Sequence, residues 1–309
     1  MQLVLLLLAI IPVIAILTYI YMKDKNKEPS SLLILLFIMG VASCFMVLLL
    51  SEIVFKIFPF MNKDTLTMTF FEVMAYAFIG VALIEEFCKF FMTYLGAYRN
   101  KAYDEVYDGI VYAVYVSLGF AFFENLLYVF SNQSVGVGIA RGLLAVPGHA
   151  CDAVFMGYYL SVSKVYFYQG KKDLERKNLI LSIIVPTILH GIYDFCLFTK
   201  ETIFVLVFLV FVIFLYISAI KKIKQLSSHG KEKKQKKQTY QSNNQNKVPP
   251  HQANTQYRQS DYFQSPSNTV GYQNINNQVP SQSQQRNFCS SCGAPTNGDF
   301  CGSCGKKQH

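Results

Sequence analysis

Apolar residues in this chain are gathered into long runs separated by short polar connections. The runs cover residues 3–22, 31–50, 69–97, 109–130, 138–164, 178–198 and 202–220. Each is long enough to cross a hydrocarbon layer of about 30 Å as a helix. The pattern therefore predicts an all-α polytopic membrane protein, its roughly seven transmembrane helices forming a bundle over residues 1–224. The composition agrees: 52% of the 309 residues are hydrophobic and 15% charged, too apolar for one soluble domain. The first run lacks a basic leader and a small-x-small site before Lys23, so it is expected to remain as a helix rather than be cleaved as a signal peptide.

Charge in the connections sets the expected orientation. Lys23, Lys25 and Lys27, then Arg99 and Lys101, then Lys171, Lys172, Arg176 and Lys177, then Lys221, Lys222 and Lys224 share one side of a seven-span arrangement. The other side holds Lys56, Lys63 and Lys200. Basic residues are retained in the cytoplasm, which puts the N-terminus outside and the tail in the cytosol.

Small residues at helical spacing mark the faces turned inward, because close packing in lipid relies on Gly, Ala and Ser. One run reads Gly109, Ala113, Ser117, Ala121, Asn125, with Glu124 on the adjoining edge. The next reads Gly138, Gly142, Ala145, His149, Ala153, Gly157, and the one after reads Ser182, Pro186, His190, Asp194. At the helical rise, Glu85 lies about 21 Å from Arg99, Glu124 about 24 Å from Asp108, His149 about 22 Å from Lys164 and His190 about 20 Å from Lys177. Four helices thus present ionisable groups to one layer of the bilayer, where each charge costs roughly 2.5–3.5 kcal/mol on insertion scales.

Such a layer can do acid-base chemistry: a glutamate takes a proton from water while a histidine steadies an oxyanion or protonates a leaving group. Lys89 is one turn from Glu85 and three residues from Glu86, so one carboxylate can stay ionised beside it while the other shares a proton. Pro147 and Pro186 each free a carbonyl four residues earlier, as acceptors for water. The structural alternatives are a packing ion pair between Glu85 and Lys89 and a satisfied pair between His190 and Asp194. Asp152, three residues from His149, reads as a group that orients that ring, and Arg141 as a snorkelling anchor. Glu52 and Glu72 read as interfacial.

The set Glu85, Glu86 and Lys89 in EEFCK, Glu124 and Asn125 in FAFFEN, His149 followed by Asp152, and His190 and Asp194 in HGIYD resembles the PrsW family of intramembrane proteases. That family belongs with the CAAX-prenyl endopeptidases, and the resemblance covers roughly residues 1–220. It implies that Glu85 and Glu86 are the catalytic pair, His190 the late essential histidine, and His149, Glu124 and Asp194 the surrounding site. The implied role is proteolysis of a membrane-anchored regulator such as an anti-sigma factor. Glu124 stands where the prenyl endopeptidases have a histidine. A catalytic zinc held by His149, His190 and a glutamate and a glutamate-activated water without metal therefore both stay open. The scaffold subunit of gamma-secretase is a distant relative, which keeps a non-catalytic assembly role as the alternative.

Beyond the bundle, residues 225–287 begin with a basic stretch, Lys231, Lys233, Lys234, Lys236 and Lys237, and continue rich in Gln, Asn and Ser. They read as a disordered linker whose lysines either meet anionic lipid of the inner leaflet or only secure topology. Nucleic acid is not expected as a partner. In residues 288–306, Cys289, Cys292, Cys301 and Cys304 form two Cys-x-x-Cys knuckles, which suit a structural zinc in a small ribbon rather than a disulfide pair in a reducing cytosol. The ribbon is expected to bind another protein. Cys44, Cys88, Cys151 and Cys196, within the spans, read as small apolar residues.

Overall fold

A computed structural model describes residues 2–245, 287–288 and 295–296. In chain order its helices are α1 (Gln2–Lys23), α2 (Ser30–Ile57), α3 (Phe70–Ala75), α4 (Ile84–Thr93), α5 (Val106–Asn132), α6 (Val135–Ala140), α7 (Val146–Tyr168), α8 (Lys172–Phe198) and α9 (Thr202–Gln245). Among the described residues, 5 helices are long and apolar enough to cross a membrane: α1, α2, α5, α8 and the Thr202–Ser227 part of α9. The two other expected spans are present as interrupted helices. In one, α3 passes through a π segment (Tyr76–Leu83) into α4 and then a second π segment (Tyr94–Tyr98). In the other, α6 passes through a π segment (Arg141–Ala145) into α7.

The second interruption has a visible cause. Pro147 has no N–H to close an α turn onto Leu143, and the helix accommodates it next to the wider π turn. The freed Leu143 carbonyl is not left for water, as the sequence suggests. The Tyr216 hydroxyl of α9 donates to it at 3.0 Å and lies 3.2 Å from the Leu144 carbonyl.

Helix α5 is the hub, packing on α7, α2 and α1. Of its apolar window 67% is buried, against 22% for α1 and for α9. Glycine is what lets its neighbours approach. A Cβ at Gly40 would lie 2.0 Å from the Val116 carbonyl oxygen, and one at Gly157 2.2 Å from that of Gly109, so α2 and α7 meet α5 backbone to backbone. The inward stripe Gly109, Ala113, Ser117, Ala121, Asn125 is buried throughout. The outer helices turn large apolar side chains away from the bundle, among them Leu49 (69% exposed) and Val210 (71%), the surface a bilayer would cover.

Helix α9 continues to Gln245 where the composition predicts an irregular linker from residue 225, because the Lys and Gln that fill this stretch are good helix formers. The remainder of that linker and Cys289, Cys292, Cys301 and Cys304 lie outside the described residues. Two strands, β1 (Asn287–Phe288) and β2 (Pro295–Thr296), pair antiparallel with Asn287 opposite Thr296, in a separate unit spanning 266–309.

Candidate active site

The four polar groups meet. Behind the first π segment, α4 starts at Ile84 and buries Glu85 (7% exposed), Glu86 (0%) and Lys89 (0%). Helices α5, α7 and α8 contribute Glu124, His149 with Asp152, and His190 with Asp194. One ligand-type atom each from Glu85, Glu86, His149 and His190 falls within 4.8 Å of the others.

Lys89 is the centre of this cluster. Its Nζ donates to Glu86 Oε1 at 2.8 Å, to Glu85 Oε2 at 3.1 Å and to His149 Nδ1 at 3.1 Å. Because Nδ1 of His149 accepts from an ammonium, its Nε2 must carry the hydrogen, which it donates to Glu124 Oε2 at 2.9 Å. The Ser117 hydroxyl donates to the His149 carbonyl at 2.9 Å, holding this turn of α7 against α5. On the other side, His190 Nδ1 lies 2.9 Å from Glu86 Oε1, and its Nε2 3.3 Å from Asp194 Oδ2 and 3.9 Å from Glu85 Oε2. Each nitrogen of this ring faces a carboxylate, the setting of a group that gives a proton. The two imidazoles meet edge to face with centroids 5.3 Å apart. Five carboxyl groups (Glu85, Glu86, Glu124, Asp152, Asp194) and the two basic side chains Lys89 and Arg141 surround the two imidazoles.

Seven residues expected at the site are together: Glu85, Glu86, Lys89, Glu124, His149, His190 and Asp194. Asn125 is one step removed. Its Oδ1 accepts from Arg141 Nε at 3.0 Å, and its Nδ2 reaches the Ala9 carbonyl at 3.5 Å, tying α1 and α6–α7 to α5. Two readings are corrected. Arg141 does not snorkel: its Nη2 lies 2.7 Å from Glu124 Oε2 and its guanidinium stacks 3.9 Å over Tyr128, so it extends the cluster outward. A charge in an apolar run was the available signal. Asp152 is placed beside the other histidine, with Oδ2 4.0 Å from His190 Nδ1, at ion-pair rather than hydrogen-bond distance. Glu52 pairs with Lys56 at 3.0 Å on the exposed end of α2, and Glu72 closes a capping box with Thr69. The four cysteines of the spans are buried and free.

A helical membrane bundle that buries paired glutamates, an ammonium and two imidazoles in one cluster has the parts of a membrane-embedded hydrolase. The sequence profile of the "PrsW family intramembrane metalloprotease" matches residues 28–219, more than half of the chain. Relatives named "Protease PrsW" include one from Oceanobacillus iheyensis, 40% identical over 188 residues (61% of this chain, 80% of the relative). Others come from Geobacillus kaustophilus, 40% identical over 191 residues (62% and 78%), and Bacillus subtilis, 37% over 189 (61% and 80%). Comparison with solved structures found no match. The chain belongs to the PrsW family and is an intramembrane peptidase.

The family description includes a metal, and Glu85, Glu86, His149 and His190 are residue types that could hold one. The arrangement fits a metal poorly while Lys89 is in place, since its ammonium already binds three of the four.

Proposed function

We propose that this peptidase hydrolyses a peptide bond in a membrane-anchored protein, a regulator of the anti-sigma type being the expected class, with a water activated by glutamate. The observation that carries the reading is the meeting of Glu85, Glu86, Lys89 and His190 from two helices in one buried contact set. Glu85 is the base. Its side chain is 10% exposed, whereas Glu86 is sealed at 0% and held by both Lys89 and His190. Glu85 takes a proton from water, the hydroxide adds to the scissile carbonyl, and His190 returns a proton to the departing amine. Asp194 and Glu86 hold the His190 ring in place for that transfer. Lys89 adds positive charge near the developing oxyanion. Glu86 Oε2, Asp152 Oδ1 and Thr187 Oγ1, all next to His190 in space or sequence, are buried polar atoms without a hydrogen-bond partner among the described residues, as expected of a place that receives water and peptide.

The topology proposed with it has the N-terminus outside and the tail in the cytosol, its lysines near anionic lipid. Cys289, Cys292, Cys301 and Cys304 would hold a structural zinc in a module that binds another protein, and the pairing of Phe288 with Pro295, which flank Cys289 and Cys292 in sequence, is compatible with it.

The test is cleavage of single-span substrates in proteoliposomes by the wild type, Glu85→Gln and His190→Ala. Loss of a positioned base or acid should lower kcat by about 10²–10⁴-fold without loss of folding. Wild-type cleavage by Glu85→Gln would refute the assigned base.

A further inference from the structure

Lys89 sits where a metal ion would. An ammonium has three hydrogens and no acceptor. All three of these point at metal-ligand atoms: a carboxylate oxygen of Glu85, one of Glu86 and the Nδ1 lone pair of His149. His190, the remaining ligand type in the cluster, touches the same Glu86 Oε1 that Lys89 holds. The last side of the ammonium is closed by the ring of Phe120, 4.2 Å away.

The surroundings of His149 are also those of a metal ligand. A metal-bound histidine typically gives its other N–H to a carboxylate, which in turn is held by further hydrogen bonds. Here His149 gives Nε2–H to Glu124, and Arg141 holds Glu124, while the atom opposite, at the position of the ion, is Lys89 Nζ. A dication bound about 2.0–2.2 Å from these same ligand atoms would crowd an ammonium that is fully buried among them.

We infer that the Lys89 side chain is a tethered replacement for a metal ion, which occupies the Glu85–Glu86–His149–His190 cluster and keeps divalent cations out of it. The inference rests on the reading of this cluster as the peptidase site, but it makes a separate claim about which cation the site holds. It predicts that Lys89→Ala, by removing the charge and opening the space, turns the cluster into a metal site that the native chain lacks.

The test uses the full chain with Cys289, Cys292, Cys301 and Cys304 replaced by Ser, so that metal at the tail does not enter the count. Purified protein with and without Lys89→Ala is equilibrated with Co²⁺, desalted, and read by metal content and by the visible absorption of bound cobalt. Expected are about no ion per chain with Lys89 present and about one with Lys89→Ala, lost again when His190→Ala is added. One ion per chain in the Lys89 protein that disappears with Glu86→Gln overturns the inference. So does a folded Lys89→Ala protein that stays metal-free. Should Lys89→Ala not fold, the Lys89 protein decides alone: cleavage undiminished by chelator with no bound ion supports the inference, and bound cobalt overturns it. A metal-free Lys89 protein that cleaves no membrane substrate would count against the peptidase mechanism and leave the cation assignment standing.

Discussion

At Arg141 a charge in the π segment ahead of α7 is held by three partners at once: Glu124, Asn125 and the face of Tyr128. The planar guanidinium suits that task, because it can bind two oxygens in a fork and stack on an aromatic ring, which an ammonium cannot do together. Arg141→Gln should destabilise the bundle by about 1.5–3 kcal/mol, the worth of hydrogen bonds to a charged group. Arg141→Lys should recover only part of that loss, read as the unfolding midpoint in detergent. Equal stability of all three proteins would show that the pairing with Glu124 contributes nothing. Lys89 shows the same principle further inside: a charge is tolerated at zero exposure because every hydrogen it carries is accepted.

Among the elements, α5 and α7 are the pair whose separation sets the site, since Glu124 and His149 bond across them. Their approach depends on Gly109 facing Gly157, where any Cβ meets backbone. Gly157→Ala should cost about 1–3 kcal/mol through overpacking and weaken cleavage along with stability, whereas Gly170→Asn, at a left-handed turn with open space, should be tolerated on both counts. The connection between α1 and α2 carries a different sensitivity. Burial pushes the Asp24 carboxyl up to about 6 and that of Glu28, which accepts the Tyr112 hydroxyl, up to about 7. Both values lie above those of the unfolded chain, so the folded state holds these protons more tightly. Their stabilising contribution is complete below about pH 4 and is lost as pH rises through about 6–7. The melting temperature should therefore fall from pH 5 to pH 8, and Glu28→Gln should flatten that fall. A pH profile unchanged by Glu28→Gln would remove Glu28 from the account.

For the whole molecule, the family match ends at residue 219, and the bundle's described side chains end at residue 227. A chain stopped after Ser227 should keep cleavage of a membrane substrate within about twofold of the full chain in kcat/KM. A loss of tenfold or more would assign the tail a part in catalysis rather than in binding a partner or lipid.

The membrane class, the runs that span, and the layer shared by Glu85, Glu86, Glu124, His149 and His190 were legible in the sequence. Each follows from a quantity measured along one axis: apolar length against bilayer thickness, and residue count times helical rise. The stripes of small residues likewise showed which faces turn inward. What remained hidden depends on rotation and on neighbours. Asp152 lies beside His190, Tyr216 takes the carbonyl that Pro147 frees, and Arg141 pairs instead of snorkelling, all by virtue of how neighbouring helices face. The π segments before Ile84 and Val146 add to this, because they shift the helical register that spacing assumes. So the chain by itself determined that the costly polar groups fall at similar distances along their helices, and only the tertiary packing decided which of them touch and that the ammonium of Lys89 stands among them, since position along a helix is set by covalent spacing and partnership by how helices face.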